Sequence, residues 1–192
     1  MKNPFLICIF LSGAVNVFSQ TRVSMDTSIG SILFEIYEEK APITSANFLA
    51  YVDEKRWVGA HFYRVVTMQN QPNNKIKIEV IQGGLGDNDS LRLPPISHES
   101  TKQTNILHQD GTLSMARMSP GTEASEFFIC IGVQPELDFG GMRNPDGQGF
   151  SAFGKVVEGM DIVLKIQQLP QDPQSQQYLE KPFMITNIRR VN

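Results

Sequence analysis

Cysteine is nearly missing from this chain: Cys8 and Cys130 are its 2 cysteines in 192 residues. Cys8 falls in an apolar opening segment, so a chain that loses that segment keeps Cys130 alone. One thiol forms no intrachain disulfide in any redox compartment. Cys130 ends an apolar run and has no Cys-X-X-Cys or Cys-His neighbour, so it reads as a small buried hydrophobe rather than a nucleophile. Histidine is scarce too. His61, His98 and His108 share no metal-ligand spacing, and neither a metal site nor a cofactor is expected. Basic clusters are missing: the formal charge is -3 and Arg189-Arg190 is too short to form a stripe, which removes the electrostatic case for a nucleic-acid partner. Gln82-Gly83-Gly84-Leu85-Gly86 lacks a following Lys-Ser/Thr and is no phosphate loop; its glycines instead permit a tight backbone path.

Long hydrophobic runs are missing as well. Pro4–Val17 is apolar apart from Ser12 and Asn16, too short to span a membrane comfortably, so no stable membrane insertion is expected. With Lys2 before it and Val17-Phe18-Ser19 as a small-residue cleavage site, residues 1–20 read as a signal peptide. The mature chain, residues 21–192, then begins near Gln20 or Thr21 and is exported, periplasmic or secreted. Its hydrophobic content of 41% and charged content of 19% suit one domain with a sizeable core. There is no repeat, low-complexity tract or linker.

What is present centres on Gly111–Cys130, GTLSMARMSPGTEASEFFIC. Thr112–Ala116 and Glu126–Cys130 are strand-like and flank a polar loop. Side chains alternate along a strand, which puts Phe127 and Ile129 on one face and Glu126, Phe128 and Cys130 on the other. A two-sided strand and a strand buried on both faces both fit this pattern.

Elsewhere, Thr21–Thr27 and Ser31–Tyr37 read as strands joined by a turn at Gly30. Pro42 suits the first turn of a helix whose apolar positions are Ile43, Ala46, Leu49 and Ala50, with Glu39 at the favourable end of its dipole. His61–Val66, Ile76–Ile81, Phe150–Val156 and Pro182–Val191 read as further strands. Met160–Ile166 reads as a second helix with Met160, Val163 and Ile166 inward and Leu164 as a further inward candidate. Thr67–Lys75 is a polar excursion. Leu85–Gln109, about 25 residues, is long enough to need packing of its own. Many strands with two helices suggest a mainly β, closed antiparallel barrel with helical caps.

Phe62-Tyr63-Arg64-Val65-Val66, Gln82-Gly83-Gly84, Gly111–Arg117, Ser125–Ile129 and Phe153–Asp161 stand in an order that resembles the cyclophilin family of peptidyl-prolyl cis-trans isomerases, with bacterial wording at Met115-Ala116-Arg117. Ala41-Pro42 and Ala46–Leu49 are similar to the family's first helix. The resemblance implies an eight-stranded barrel capped by two helices, and an outer groove that takes a proline ring. It implies Arg64 as the catalytic arginine. It places Phe62, Val80, Gln82, Ala116, Arg117, Glu126, Phe128, Leu137 and Phe150 at the substrate, with Phe127 in the core. The implied partners are proline-containing polypeptides met by a monomer. Phe150 departs from a common histidine or tyrosine, and three acidic departures stand out: Glu79-Val80 before Gln82 in place of an aromatic and a methionine, Glu126 in place of glutamine, and Glu136 in place of an aromatic. They motivate an alternative, a non-catalytic proline-binding or chaperone module. A barrel that holds a small molecule is a third reading, which a filled interior would remove.

Overall fold

Val23 and Met25 on β1 (Thr21–Thr27) lie opposite Phe34 and Ile32 on β2 (Gly30–Ile36), and all are fully buried. That alternation builds one wall of a closed barrel. The computed structural model describes residues 20–191, so the expected signal peptide, except Gln20, lies outside the described residues. The remaining strands are β3 (His61–Val66), β4 (Val80–Gly84), β5 (Thr112–Met115), β6 (Phe127–Cys130), β7 (Ser151–Glu158) and β8 (Tyr178–Val191). Their order around the barrel is β1-β2-β7-β5-β6-β4-β3-β8, every pair antiparallel. Among the described residues, closure leaves no barrel edge open to another chain.

Among the described residues, two helices of more than one turn, α1 (Pro42–Asp53) and, late in the chain, Met160–Gln167, pack on the barrel, as expected. A short helix, α2 (Thr101–Thr104), precedes the latter, which is therefore α3. Phe48 of α1 enters the interior, with ring centroids 4.7 Å from Trp57, 5.0 Å from Phe153 and 6.2 Å from Phe34. With Phe62 and Phe127, also fully buried, these rings fill the barrel. Each stabilises the fold by about 1.5–3 kcal/mol through burial. The filled interior removes the small-molecule barrel reading.

The face that α1 buries differs from its apolar spacing. Ile43 and Ala46 are exposed, while Thr44, Ser45, Asn47 and Phe48 are buried. Asn47 faces inward by donating to Ala124 O at 2.8 Å, the Ser45 hydroxyl is buried without a hydrogen-bond partner, and Thr44 is met by Glu99. Its carboxylate accepts from the backbone N–H of Ile43 at 3.2 Å and Thr44 at 2.7 Å, and from the Thr44 hydroxyl at 2.6 Å. Ala41 stands at the N-cap and supplies no side-chain acceptor, so a buried residue far along the chain satisfies the orphan donors. Glu39 is exposed and takes no part. In α3, Ile162 joins Val163 and Ile166 inside, Met160 is half-buried and Leu164 faces solvent.

The connection from β4 to β5 has the packing its length requires. Residues 89–91 form a 3-10 turn, Ile96 bridges Glu123, and Ser100 and Gln103 cap α2 reciprocally. The Thr67–Lys75 excursion owes its Asn and Gln content to backbone groups that lack a strand partner. Asn70 Nδ2 donates to Val65 O, and Gln71 Nε2 donates to Thr67 O and Ile78 O. Strand β4 starts only at Val80, and the expected strand residues before it form part of this loop.

Candidate functional site

A β-bulge sets the site. β3 pairs Phe62 with Gly83 and Arg64 with Gln82, so Tyr63 is the extra residue. A bulge breaks the period-two alternation. Phe62 and Arg64, two apart, therefore part company. Phe62 points into the barrel, 5.7 Å from the Phe127 ring and fully buried. Its expected place at the substrate is thus corrected: it is a core residue. Arg64 emerges on the outside.

There Arg64 lines a cavity of about 320 Å³ together with Val80, Gln82, Ala116, Arg117, Phe128, Leu137 and Phe150. The structure thus brings together every expected site residue except Phe62 and Glu126. The floor is apolar. Phe128 meets Phe150 edge-on at 5.3 Å, and Val80, Leu137 and Ile78 complete it. Strand β6 is buried on both faces, yet the faces differ in kind: Phe127 and Ile129 belong to the barrel interior, Phe128 and Cys130 to the cavity floor. Cys130 is a buried hydrophobe whose thiol pKa burial pushes up. Behind Phe128 the ring of His108 stacks at 5.9 Å. His108 contacts Asp138 through Nδ1 at 2.7 Å and Ser114 through Nε2 at 2.9 Å, and burial lowers its pKa. It supports the floor as a neutral ring.

The Arg64 guanidinium is fixed by neutral acceptors. Nη1 donates to Gln82 Oε1 at 2.8 Å, while Nε and Nη2 donate to Gln177 Oε1 at 3.1 and 2.6 Å. Gln177 and its neighbour Tyr178, which lines the cavity, were not legible in the sequence; they sit in a polar turn at the start of β8, ahead of the expected strand start. Arg143 and Asn144, also lining residues, come from a loop whose composition gives no path.

Glu126 stands in an adjoining cavity of about 270 Å³ that shares Gln82, Ala116 and Arg117 with the first. Its Oε2 accepts from the Tyr63 hydroxyl at 2.6 Å, and its Oε1 from Ser125 Oγ at 2.8 Å and from the N–H groups of Leu85 at 3.1 Å and Gly86 at 3.2 Å. Gly84 permits this approach, since a Cβ there would lie 2.6 Å from Ser125 O. A carboxylate only accepts, so Tyr63 must donate to it. The Tyr63 oxygen is then left as an acceptor for Gln82 Nε2, at 2.7 Å. The Gln82 carbonyl therefore points at Arg64. The two ends, an acceptor-only Glu126 and a donor-only Arg64, thus set the direction of every bond in the chain Glu126–Tyr63–Gln82–Arg64. Burial and the neighbouring Glu126 charge push the Tyr63 hydroxyl pKa far up, which keeps its proton in place.

Arg117 serves the wall. It makes a two-pronged pair with Asp146 at 2.7 and 2.9 Å, donates to Gly149 O, and lies 5.1 Å from the Phe150 ring centroid. This pairing pulls the Asp146 carboxyl down to about 2. The two remaining glutamates stay clear of the cavity: Glu136 accepts from Met142 N, and neither it nor Glu79 is among the lining residues. Among the described residues, no three His, Cys, Asp or Glu side chains are grouped to hold a metal ion, and no helix is long and apolar enough to cross a membrane.

The family model for cyclophilin type peptidyl-prolyl cis-trans isomerases matches residues 22–190. The peptidyl-prolyl cis-trans isomerase of Acinetobacter baylyi is 34% identical over 170 residues, covering 85% of this chain and 82% of the relative. Peptidyl-prolyl cis-trans isomerase A of Dickeya dadantii is 32% identical over 186 residues, covering 94% and 90%. A crystal structure of a cyclophilin type isomerase from Cryptosporidium parvum has the same fold, with TM-score 0.71 at 20% identity over 91% of this chain and 99% of that one. Another, obtained in the presence of the dipeptide Ala-Pro, gives 0.69 at 22% identity over 89% and 99%. The barrel order, the matched span and the relatives agree, and the chain belongs to the cyclophilin-type peptidyl-prolyl cis-trans isomerase family.

Proposed function

We propose that this protein is an exported peptidyl-prolyl cis-trans isomerase in which Arg64 is the catalytic residue and Val80, Phe128, Leu137 and Phe150 hold the proline ring. The observation that carries this reading is a guanidinium fixed by two neutral carbonyls at an apolar cavity. Rotation about an X–Pro bond faces a barrier of about 18–20 kcal/mol from amide resonance. Twisting the bond returns a lone pair to the prolyl nitrogen. Arginine has five N–H donors; three are engaged by Gln82 and Gln177, which leaves two to meet that lone pair. The planar amide offers no such acceptor, so the bond strengthens only on the way to the transition state. A charge-assisted hydrogen bond contributes about 1.5–3 kcal/mol, roughly 10–100-fold in rate. Gln82, Gln177 and, through Tyr63, Glu126 hold the guanidinium in place, so little reorganisation is needed. The chemistry asks for no nucleophile and no metal.

The alternative, a binding or chaperone module without catalysis, was motivated by Glu79, Glu126 and Glu136. Their positions outside the Arg64 cavity weaken it. The test is exchange spectroscopy on a proline tetrapeptide: isomerisation accelerated by catalytic amounts of protein supports the enzyme, and saturable binding with an unchanged exchange rate supports the module. Export and removal of residues 1–20 rest on the leader pattern, and on β1 beginning at Thr21. Intact mass of the secreted protein tests this; a retained N-terminus contradicts it. The protein acts as a monomer in this reading, which light scattering checks.

A further inference from the structure

The cavity has a donor-rich end that bond rotation leaves unused. Arg143 and Asn144 line it, from the loop before β7. Arg143 Nη1 donates to Gln71 Oε1 at 2.8 Å and Ile76 O at 2.7 Å, which fixes the head group against the Thr67–Lys75 excursion. Both acceptors are neutral. The ion pairs among the described residues include neither Arg143 nor Arg64, whereas Arg117 in the same wall is paired with Asp146. No aspartate or glutamate lines the cavity. The amide nitrogen of Asn144 is buried without a hydrogen-bond partner, which is costly unless something meets it. Burial, and then repulsion from Arg64, lower the Arg143 pKa. Two uncompensated guanidiniums and an orphaned amide donor call for a ligand that brings acceptors and negative charge, and a carboxylate supplies both.

We infer that Arg143 and Asn144 form a subsite for an acidic side chain next to the proline, so that the preferred substrates are proline segments with Asp or Glu on the Arg143 side. This rests on the proline-binding reading above. A planar guanidinium takes a carboxylate by two parallel bonds, and with Nη1 engaged by Gln71 and Ile76, the Nε and Nη2 edge of Arg143 remains to meet one. A chain-terminal carboxylate has the same chemistry, and the experiment separates the two sources.

The test uses blocked peptides with Glu, Gln or Lys immediately before or after proline, and a Gln series with a free C-terminus. Binding is followed by chemical-shift titration and isomerisation by exchange spectroscopy. At one of the two positions Glu is expected to bind about three- to tenfold more tightly than Gln, with Lys weakest. The gap is expected to narrow in high salt. Arg143→Gln is expected to erase the Glu/Gln ratio, and Arg143→Lys to keep part of it. Equal binding of Glu, Gln and Lys at both positions overturns the inference, as does a ratio that survives Arg143→Gln. Preference for a free C-terminus without preference for Glu overturns the side-chain assignment. Failure of the isomerase reading looks different: no peptide exchanges faster, while the titration still reports the subsite.

Discussion

Replacing Glu126 with Gln changes a single heavy atom and tests whether charge sets the direction of the hydrogen-bond chain to Arg64. The N–H groups of Leu85 and Gly86 cannot be turned round, so the carbonyl of the new side-chain amide must stay with them. Its NH2 must then face the Tyr63 hydroxyl, which already accepts from Gln82 Nε2. The Tyr63 hydrogen loses its acceptor, unless Gln82 flips and presents NH2 to Arg64 Nη1, donor against donor. Either outcome loses about one charge-assisted bond, about 1.5–3 kcal/mol. If half of that reaches the transition state, kcat falls about 4- to 13-fold. KM should change little, because the floor of Val80, Phe128, Leu137 and Phe150 is untouched. Tyr63→Phe breaks the same chain one link on and should give a similar loss. The double variant should be little worse than either single one, since the chain acts as a unit. Isomerisation of a proline peptide at varied concentration reads all three. Wild-type kcat in Glu126→Gln, or additive losses in the double variant, refutes the reasoning.

Two further outcomes concern stability. Glu99→Gln leaves one acceptor for three donors at the start of α1 and should cost about 2 kcal/mol, a fall in Tm of roughly 4–8 °C by thermal melting; an unchanged Tm removes Glu99 as the helix cap. The His98 pKa is raised, first by its 2.5 Å hydrogen bond with Glu123, so its stabilisation is full below about pH 6.5 and is lost as pH rises through the folded value. His108 acts with the opposite sign: burial lowers its pKa, so stability falls as pH drops below about 6.5 and the unfolded chain takes up a proton that the folded ring refuses. In His98→Gln the decline of stability above about pH 6.5 should flatten while the acid limb stays; denaturant melts at several pH values that run parallel to wild type contradict this.

Much of the barrel was legible because alternation is local. β1 runs over the expected Thr21–Thr27 and β3 over the expected His61–Val66, and Ile32, Phe34 and Ile36 face inward as their spacing requires. The errors have one physical source: a partner distant in sequence overrides a local rule. The bulge at Tyr63 sends Phe62 and Arg64 to opposite sides, and neither residue carries a sign of it. Glu99 holds Thr44 inward from 55 residues away, against the apolar spacing of α1. Gln177 reaches Arg64, and Arg143 and Asn144 reach the cavity, from loops whose composition says only that they are loops. The resemblance pointed to Arg64, Gln82 and Phe128 on strands and to Leu137 and Phe150 outside them, all of which line the cavity, and it offered nothing for Gln177, Arg143 and Asn144.

The most direct measurement is isomerisation of a proline peptide by Arg64→Ala, with circular dichroism to confirm the fold. Arg64 is on the barrel's outer side, and its loss leaves the aromatic interior intact. The expected result is a roughly 10–100-fold fall in kcat/KM, with peptide binding retained in part by the apolar floor and an unaltered melting transition apart from the loss of the Gln82 and Gln177 contacts. A folded Arg64→Ala protein that isomerises the peptide at the wild-type rate would contradict the proposed role of the guanidinium.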